Sequence, residues 1–394
     1  MQWSLTRMSR IVFLLGVSAG GCGSPGPLQN ASLTAGAGQS GASQEPATSG
    51  QAGIGGSAVA GSTQPAVEPF GGAVSEQSFP NEYFAQVWGT DSELWILGRP
   101  GQAPDPNAMQ PVETCSPARF DATSILRRKT DGDFALVDQP ATTFLTSLHG
   151  SSASDVWLVG LGGAVFQFDG AAWHAHDIRK AEGLAFDEVP CWELSLQAVF
   201  ARSPTDVWVV GGIFSSTLGP GLILHYDGRT WKRHAVGAPD GLFDVWAASD
   251  SDVWVVGASG LAYHYDGSTW QRVNAATENY LFSVLGTSQD DVWAVGNTSV
   301  ATHFDGSGWR LIDPGADFST SSALAGNSQG GVWALTTTGV TGAGDSWRQS
   351  LTHWDGNVWT AVSSTTDRKQ MLNDLYMTPS GQLWGVGGSV IQFR

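Results

Sequence analysis

Apolar and polar positions along this chain repeat in an order that predicts four short β-strands per unit. In the segment 281–296, the apolar run LFSVLG is followed by the polar turn TSQDD and a second apolar run, VWAVG. The second run is apolar at almost every position, which is typical of a strand covered on both faces. No segment shows convincing helical periodicity. We therefore expect an all-β protein.

Asp-Gly pairs mark the turn between the third and fourth strands of five units. Each pair follows an aromatic residue, and a tryptophan comes shortly after it. Asp-Gly between strand residues indicates a hairpin, because such a turn requires positive φ. The pairs are Asp169-Gly170, Asp227-Gly228, Asp266-Gly267, Asp305-Gly306 and Asp355-Gly356. The fourth strands should begin at Trp173, Trp231, Trp270, Trp309 and Trp359.

A tryptophan in the second strand identifies seven copies of the unit. These residues are Trp95, Trp157, Trp208, Trp254, Trp293, Trp333 and Trp384. The shortest interval, between Trp254 and Trp293, is 39 residues, and periods near 40 indicate a propeller or a solenoid. Four antiparallel strands in each of seven units predict a seven-bladed β-propeller.

The two ends of the repeat array complement each other. The seventh unit ends at Phe393-Arg394, in its third strand, and has no fourth strand. Residues from Ala73 onward align without a gap on the fourth strand that begins at Trp270. Since an open edge invites aggregation, we expect the strand at Ala73 to pair with the last strand and close the ring.

The repeat resembles two known kinds of propeller. The strand Val207–Gly212 (VWVVGG), followed by Tyr226-Asp227 and Trp231, resembles kelch repeats. The alternation of VWAVG with HFDGSGW is similar to tectonin-type lectin propellers. These resemblances cover residues 73–394 and imply the fold, but they assign no function, because the motifs make turns and packing contacts.

The N-terminus has the features of an export signal. Met1–Arg10 is basic, Ile11–Val17 is apolar and Ser18–Gly21 is small, as in a secretory signal peptide. Ala19-Gly20-Gly21-Cys22 resembles the lipobox of bacterial lipoproteins, which implies lipidation of Cys22 and an outer-membrane lipoprotein that faces either the periplasm or the outside. An ordinary secreted protein with an incidental cysteine is the alternative.

The chain is therefore predicted to have three parts. Residues 1–22 form the signal, residues 23–72 form a disordered tether rich in Gly, Ser and Ala, and residues 73–394 form the propeller. The tether has no aromatic residue from Gly23 to Pro69 and cannot build a core. Its r.m.s. reach is about 35–40 Å, which is enough to hold a domain away from a membrane.

Charge and cysteine content limit the partners. The net charge is −17, from 36 acidic and 19 basic residues, so we expect no nucleic-acid partner, since phosphate binding needs Lys and Arg. Membrane contact through the lipid anchor only, no cofactor and a monomeric state are expected. Cys115 and Cys191 should lie on one face of the ring in an oxidising compartment, and we predict a disulfide between them. Two free thiols are the alternative.

Polar residues that recur in the repeat have a structural interpretation. His225, His264, His303 and His353 precede the aromatic residue before Asp-Gly. They belong to different blades and cannot converge on one metal ion. Asp155, Asp206, Asp252 and Asp291 precede Val-Trp and are expected to cap the turn by bonding backbone amides. The repeat tryptophans should fill the space between blades.

Long connections should lie on one face of the disc. They are Arg99–Ser124, Asp177–Leu194, Gly212–Gly221 and Thr337–Gln349. Loops that are long on one face of a rigid frame indicate a binding surface, although neutral drift is the alternative. Within these loops, Trp192, Phe214, Trp347 and Arg348 would suit stacking on a sugar or anchoring a protein, and Asp345 and Glu193 could bond hydroxyl groups beside them.

The sequence favours binding over catalysis. It contains no G-x-S-x-G elbow, H-E-x-x-H motif or phosphate loop, and we assign no catalytic or metal-binding residue. We expect a surface-tethered, non-catalytic propeller that recognises a glycan or a protein. A carbohydrate-active enzyme, either a glycoside hydrolase or sialidase-like, would need paired carboxylates in one cleft. A scaffold subunit of an envelope complex is the third possibility.

Overall fold

A computed structural model describes residues 73–78, 82–100, 123–129, 132–138, 144–178, 193–213, 219–315, 319–328, 331–340, 346–367 and 370–393. These residues form seven four-stranded antiparallel sheets. The prediction of an all-β, seven-bladed propeller is confirmed. No helix in the described ranges is long and apolar enough to cross a bilayer.

The strands follow the repeat closely. Blade one consists of β2 (Glu82–Gly89), β3 (Glu93–Pro100), β4 (Ser124–Lys129) and β5 (Ala135–Leu136). Blade two consists of β6 (Leu145–Ser152), β7 (Asp155–Gly160), β8 (Val165–Phe168) and β9 (Trp173–Ala175). Blade three consists of β10 (Leu194–Ser203), β11 (Asp206–Ile213), β12 (Gly221–Tyr226) and β13 (Trp231–His234). Blades four and five consist of β14 (Leu242–Ser249), β15 (Asp252–Gly257), β16 (Ala262–Tyr265), β17 (Trp270–Arg272); and β18 (Leu281–Ser288), β19 (Asp291–Gly296), β20 (Ala301–Phe304), β21 (Trp309–Leu311). Blades six and seven consist of β22 (Thr320–Asn327), β23 (Gly331–Val340), β24 (Ser346–Trp354), β25 (Trp359–Thr365); and β26 (Leu372–Met377), β27 (Leu383–Gly387), β28 (Ser389–Phe393) with β1 (Ala73–Ser78).

The first strands of the blades form the inner wall of the ring. Each contacts the first strands of both neighbouring blades, in the closed cycle β2, β6, β10, β14, β18, β22, β26 and back to β2. The ring is also closed by strand pairing, because β1 pairs antiparallel with β28 from Ala73 opposite Phe393 to Ser78 opposite Ser389. The predicted closure by the N-terminal strand is confirmed.

The hydrophobic core lies between the blades. Each of the seven seams has its own cluster of buried side chains, drawn mainly from two successive blades. Trp208 of blade three, for example, is fully buried among Leu242 and Val253 of blade four. The expectation that the repeat tryptophans fill the space between blades is confirmed.

In five of these seams, the tryptophan that begins a fourth strand packs against the repeat tryptophan of the preceding blade. Trp157 in blade two meets Trp231 of blade three edge to face, with ring centroids 6.0 Å apart. Such aromatic pairs contribute about 0.5–1.5 kcal/mol beyond their buried area. The same T-shaped contact joins Trp95 to Trp173, Trp208 to Trp270, Trp254 to Trp309 and Trp293 to Trp359.

The seam between blades seven and one differs from the others. By strand register, Arg128 occupies the position at which other blades have the aromatic residue before Asp-Gly. Phe134 likewise occupies the position of the tryptophan that begins the fourth strand in other blades. The guanidinium of Arg128 lies 5.3 Å from the centre of Trp384 and 5.6 Å from that of Phe134. A cation–π contact thus replaces an aromatic pair at the seam where the ring closes.

Candidate binding face

Strand direction gives the propeller two faces. Turns between strands one and two, and between strands three and four, lie on what we call the short-turn face. Connections between strands two and three, and from each fourth strand to the next blade, lie on the opposite, long-loop face. The two faces carry different polar side chains.

On the short-turn face, an acidic residue connects the second and third strands of a blade. In blade three, Asp206 Oδ1 lies 2.9 Å from His225 Nε2, and Asp206 Oδ2 accepts a hydrogen bond from Arg202 Nε at 2.6 Å. The His225 ring stacks on Trp208, with centroids 3.9 Å apart and an interplanar angle of 11°. His225 therefore links the carboxylate to the buried indole within one blade.

Five of the other blades make an equivalent contact between the second and third strands. The equivalent pairs are Asp252–His264 (2.7 Å), Asp291–His303 (2.6 Å), Asp155–Gln167 (2.8 Å), Glu93–Arg127 (2.7 Å) and Gln382–Gln392 (3.4 Å). Blade six has Gly331 at the acidic position, and a Cβ there would lie 2.7 Å from His353 Nε2. The contact is therefore made by Asp–His, Asp–Gln, Glu–Arg and Gln–Gln pairs in different blades, and this tolerance is expected of a structural contact.

The prediction that these aspartates cap the turn through backbone amides is wrong. Asp206 and Trp208 are two residues apart and share one face of β11, and Trp208 lies directly opposite His225. The carboxylate therefore reaches the histidine on the neighbouring strand. The turn is capped instead by hydroxyl groups, since Ser203 Oγ accepts the N–H of Thr205 at 3.3 Å.

The electrostatics of these carboxylates also indicate a structural role. Burial raises the pKa of Asp206, but the hydrogen bonds from His225 and Arg202 outweigh it, and the pKa lies below its usual value. The hydrogen bond from His303 is the largest cause that lowers the pKa of Asp291. Both groups are ionised at neutral pH with both oxygens occupied, which does not suit a general acid.

Several predicted site residues cannot be placed. Trp192, Phe214 and Asp345, together with Cys22, Cys115 and Cys191, lie outside the described residues, so their roles stay predictions. Glu193 is described and lies half-buried immediately before β10. Trp347 is half-buried and Arg348 is exposed, and both lie in β24.

The segment Thr337–Gln349 is not the long loop that the sequence predicted. Strand β23 extends to Val340 and strand β24 starts at Ser346, with Gly339 opposite Trp347 and Thr338 opposite Arg348. Backbone pairing continues through this Thr- and Gly-rich sequence, so Trp347 and Arg348 occupy strand positions. The outer strand β25 reaches only Thr365, opposite Gln349. The hairpin therefore projects three residue pairs beyond β25 as a two-stranded ribbon.

The base of this ribbon is fixed to the next blade. Gln349 is fully buried, and its amide donates a hydrogen bond to the carbonyl of Leu372 at 2.8 Å and accepts one from the Leu372 N–H at 2.6 Å. Because this pair of bonds mimics strand pairing, the projecting ribbon has a defined direction at its base.

An aromatic group on the long-loop side of blades four and five was not predicted. Phe243 is buried, while Tyr280 and Phe282 are half-buried, and the three ring centroids lie 6.1–6.4 Å apart. Phe243 and Phe282 are the second residues of the inner strands β14 and β18. The other blades have Ala85, Thr146, Gln197, Ser322 and Asn373 at that position. This difference between copies was the sequence signal for the group.

Unusual backbone conformations lie in the same region. The four non-glycine residues with positive φ in the described ranges are Ser259 (54°), Ala276 (60°), Thr298 (55°) and Ser299 (58°). All four belong to connections of blades four and five on the long-loop face. Blade two makes the equivalent turn with Gly162 and Gly163, at φ of 72° and 74°, which shows that glycine suffices there.

Comparisons with known proteins support the fold. No protein-family profile and no curated protein matches the chain. Solved structures similar to it include the RRP9 WD40 repeats (10% identity, TM-score 0.57, covering 83% of this chain and 99% of that one). They also include YCF48 bound to D1 peptide (13%, 0.54, 84% and 99%) and the WD40 propeller domain of Doa1 (10%, 0.54, 82% and 96%). The kelch and tectonin resemblances stay predictions.

Proposed function

We propose that this chain is an exported, lipid-tethered and non-catalytic binding propeller that holds a protein or glycan ligand on its long-loop face. The projecting ribbon of blade six carries this proposal. A two-stranded hairpin beyond the edge of its sheet is marginally stable in water, and this one presents Trp347 and Arg348, residue types that often dominate binding energy. A ligand that packs against the ribbon would stabilise it.

One further observation favours a protein as the ligand, and a second favours the long-loop face as the place where it binds. The fold is shared with propellers that include YCF48 bound to D1 peptide, which makes a peptide or protein partner a reasonable first test. The recurrent acidic groups of the short-turn face are occupied by contacts within their own blades. A ligand can therefore bind to the long-loop face while these contacts within the blades stay as they are.

The binding test uses the full chain, purified in mild detergent and screened against a glycan array and a displayed peptide library. Trp347→Ala and Arg348→Ala should each abolish binding of the selected ligand. Val358→Ala is the matched control, because Val358 is 55% exposed on the short-turn face of the same blade. Unchanged binding in both ribbon variants would refute the ribbon as the site. Because Arg348 is exposed, its replacement should leave the stability of the fold unchanged. A loss of binding in Arg348→Ala would therefore reflect a lost contact with the ligand.

Tethering is tested separately with Cys22→Ser. The variant should lose incorporation of labelled palmitate and move from the membrane fraction to the soluble fraction of the envelope. A wild-type chain that incorporates no palmitate would contradict the lipid anchor and leave the binding role unaffected.

A further inference from the structure

A second surface on the long-loop face combines aromatic rings with carboxylates that form no ion pair within the described residues. We call it the blade-four/five platform. It consists of the aromatic group Phe243, Tyr280 and Phe282 and the carboxylates of Asp240, Glu278 and Asp313, which lie on the connections that carry the chain into blades four, five and six.

The charge of the platform has one sign. Glu278 and Asp313 are exposed and Asp240 is half-buried. No Lys or Arg occurs in the five connections of this region, 235–241, 258–261, 273–280, 297–300 and 312–319. With a net charge of −17 on the whole chain, these carboxylates create a negative potential that attracts cations and raises their rate of association.

Backbone contacts hold the connections of the platform in place. Gly260 N–H donates to the carbonyl of Asn279 at 2.8 Å, Asn297 N–H donates to the carbonyl of Tyr280 at 3.2 Å, and the Tyr280 N–H donates to Asn297 Oδ1 at 2.9 Å. Ser259 Oγ donates to Asp240 Oδ2 at 3.2 Å. Because these bonds fix the Tyr280 backbone and one carboxylate before binding, less conformational entropy is lost when a ligand arrives.

The turns of the platform keep side chains at a conformational cost. Ser259, Thr298 and Ser299 are exposed and have positive φ at turn positions that blade two fills with glycine. A β-branched residue such as Thr298 is rare in this conformation. Strained residues of this kind cluster at ligand contacts, so hydroxyl groups at these positions are consistent with a binding surface.

We propose that the blade-four/five platform binds a cationic peptide segment of a partner protein, with an apolar residue seated against Tyr280 and Phe282 and flanking Lys or Arg side chains paired with Glu278, Asp240 and Asp313. This inference rests on the proposed binding function and names the chemistry of the partner. The charge decides between the candidate ligands. A neutral glycan could donate hydroxyl hydrogen bonds to these carboxylates but would gain nothing from their net charge, whereas a cationic peptide gains both attraction and specificity.

The experiment selects a phage-displayed library of random nonapeptides on the full chain and measures the best peptide by fluorescence anisotropy. We expect enrichment of sequences in which Lys or Arg flanks an apolar residue. Glu278→Lys and Tyr280→Ala should each weaken binding about tenfold or more, and the affinity should fall as salt rises. The matched control is Asp250→Lys, because Asp250 is exposed on the short-turn face of blade four and the charge change is identical.

The outcomes separate this inference from the proposed function. Enrichment of acidic or uncharged peptides, or equal losses in Glu278→Lys and Asp250→Lys, would overturn the platform. Loss of binding in Trp347→Ala with full binding in Tyr280→Ala would overturn it while the ribbon site stands. A chain that selects only glycans would refute the peptide as occupant. Absence of any ligand in both screens would refute both proposals.

Discussion

Asp374 in the last blade accepts a hydrogen bond from the backbone N–H of Val87 in the first blade, with Oδ2 3.2 Å from the nitrogen. The same position in three other blades bonds the inner strand of the following blade. The contacts are Gln86 Oε1 with Leu148 N–H (2.7 Å), Ser147 Oγ with Val199 N–H (3.2 Å) and Asp244 Oδ2 with Val284 N–H (3.0 Å). These acceptors satisfy donors on the inner edges of four blades, where no further strand pairs.

Asp374→Ala should therefore weaken the seam at which the ring closes. It leaves the buried N–H of Val87 without this acceptor, and we expect a loss of about 1–3 kcal/mol in the free energy of unfolding. Urea denaturation followed by tryptophan fluorescence measures the change. Asp374→Asn is the control, because it keeps an acceptor oxygen and should lose much less. Equal losses in the two variants would show that charge, not the hydrogen bond, stabilises the seam.

Removal of β1 should have a larger effect than any single contact in the seam. A chain that starts at residue 73 should melt like the full chain, whereas one that starts at residue 79 exposes the edge of β28, loses all its pairing with Ala73–Ser78 and should aggregate. Calorimetry and light scattering on the two truncations test this. If both melt alike, strand β1 does not close the ring.

The fold could be predicted from sequence because local chemistry repeats seven times. Gly228 illustrates this, since its φ of 88° is the positive value that the Asp-Gly pattern requires. The ribbon could not be predicted, because Thr- and Gly-rich residues such as Thr337 and Gly339 resemble a loop and pair only through backbone atoms. The platform was missed because Phe243 and Tyr280 are distant in sequence and meet only when two blades pack together.

Mass spectrometry can test the predicted disulfide between Cys115 and Cys191. Intact mass under non-reducing conditions, with and without alkylation, should show both thiols blocked in the protein isolated from its native host. Reduction should then lower stability by about 2–4 kcal/mol. Alkylation of both cysteines in the native, unreduced chain would establish free thiols instead.

Stability should fall between neutral and mildly acidic pH. Burial lowers the pKa of His149 to about 4, and burial together with the positive charges of His225 and Lys232 lowers that of His234 to about 4. Both rings stay neutral in the folded protein, whereas the unfolded chain binds protons below about pH 6.5. The free energy of unfolding is therefore highest above pH 6.5 and decreases from there towards pH 4, by up to about 1.4 kcal/mol per pH unit for the fully buried His149 and by less for the half-buried His234.

The variant His149→Asn isolates one of the two histidines. His149 Nδ1 accepts the N–H of Ala201 at 3.1 Å, and an asparagine oxygen can accept the same bond without titrating. Urea denaturation at several pH values should show a shallower slope between pH 4 and 6.5 in this variant. An unchanged slope would contradict the assignment of the pH dependence to His149.

Replacement of the strained turn in blade five should separate stability from binding. Thr298→Gly with Ser299→Gly removes two side chains from positive φ, and we expect a gain of about 0.5–1 kcal/mol in the free energy of unfolding after the greater flexibility of glycine in the unfolded chain is included. The pair Thr298→Ala and Ser299→Ala is the matched control, since it removes the hydroxyl groups and keeps both Cβ atoms in the strained conformation. The alanine pair should gain no stability. If glycine also fails to stabilise the protein, the turn is not strained, and its side chains carry no conformational cost that a ligand would have to justify.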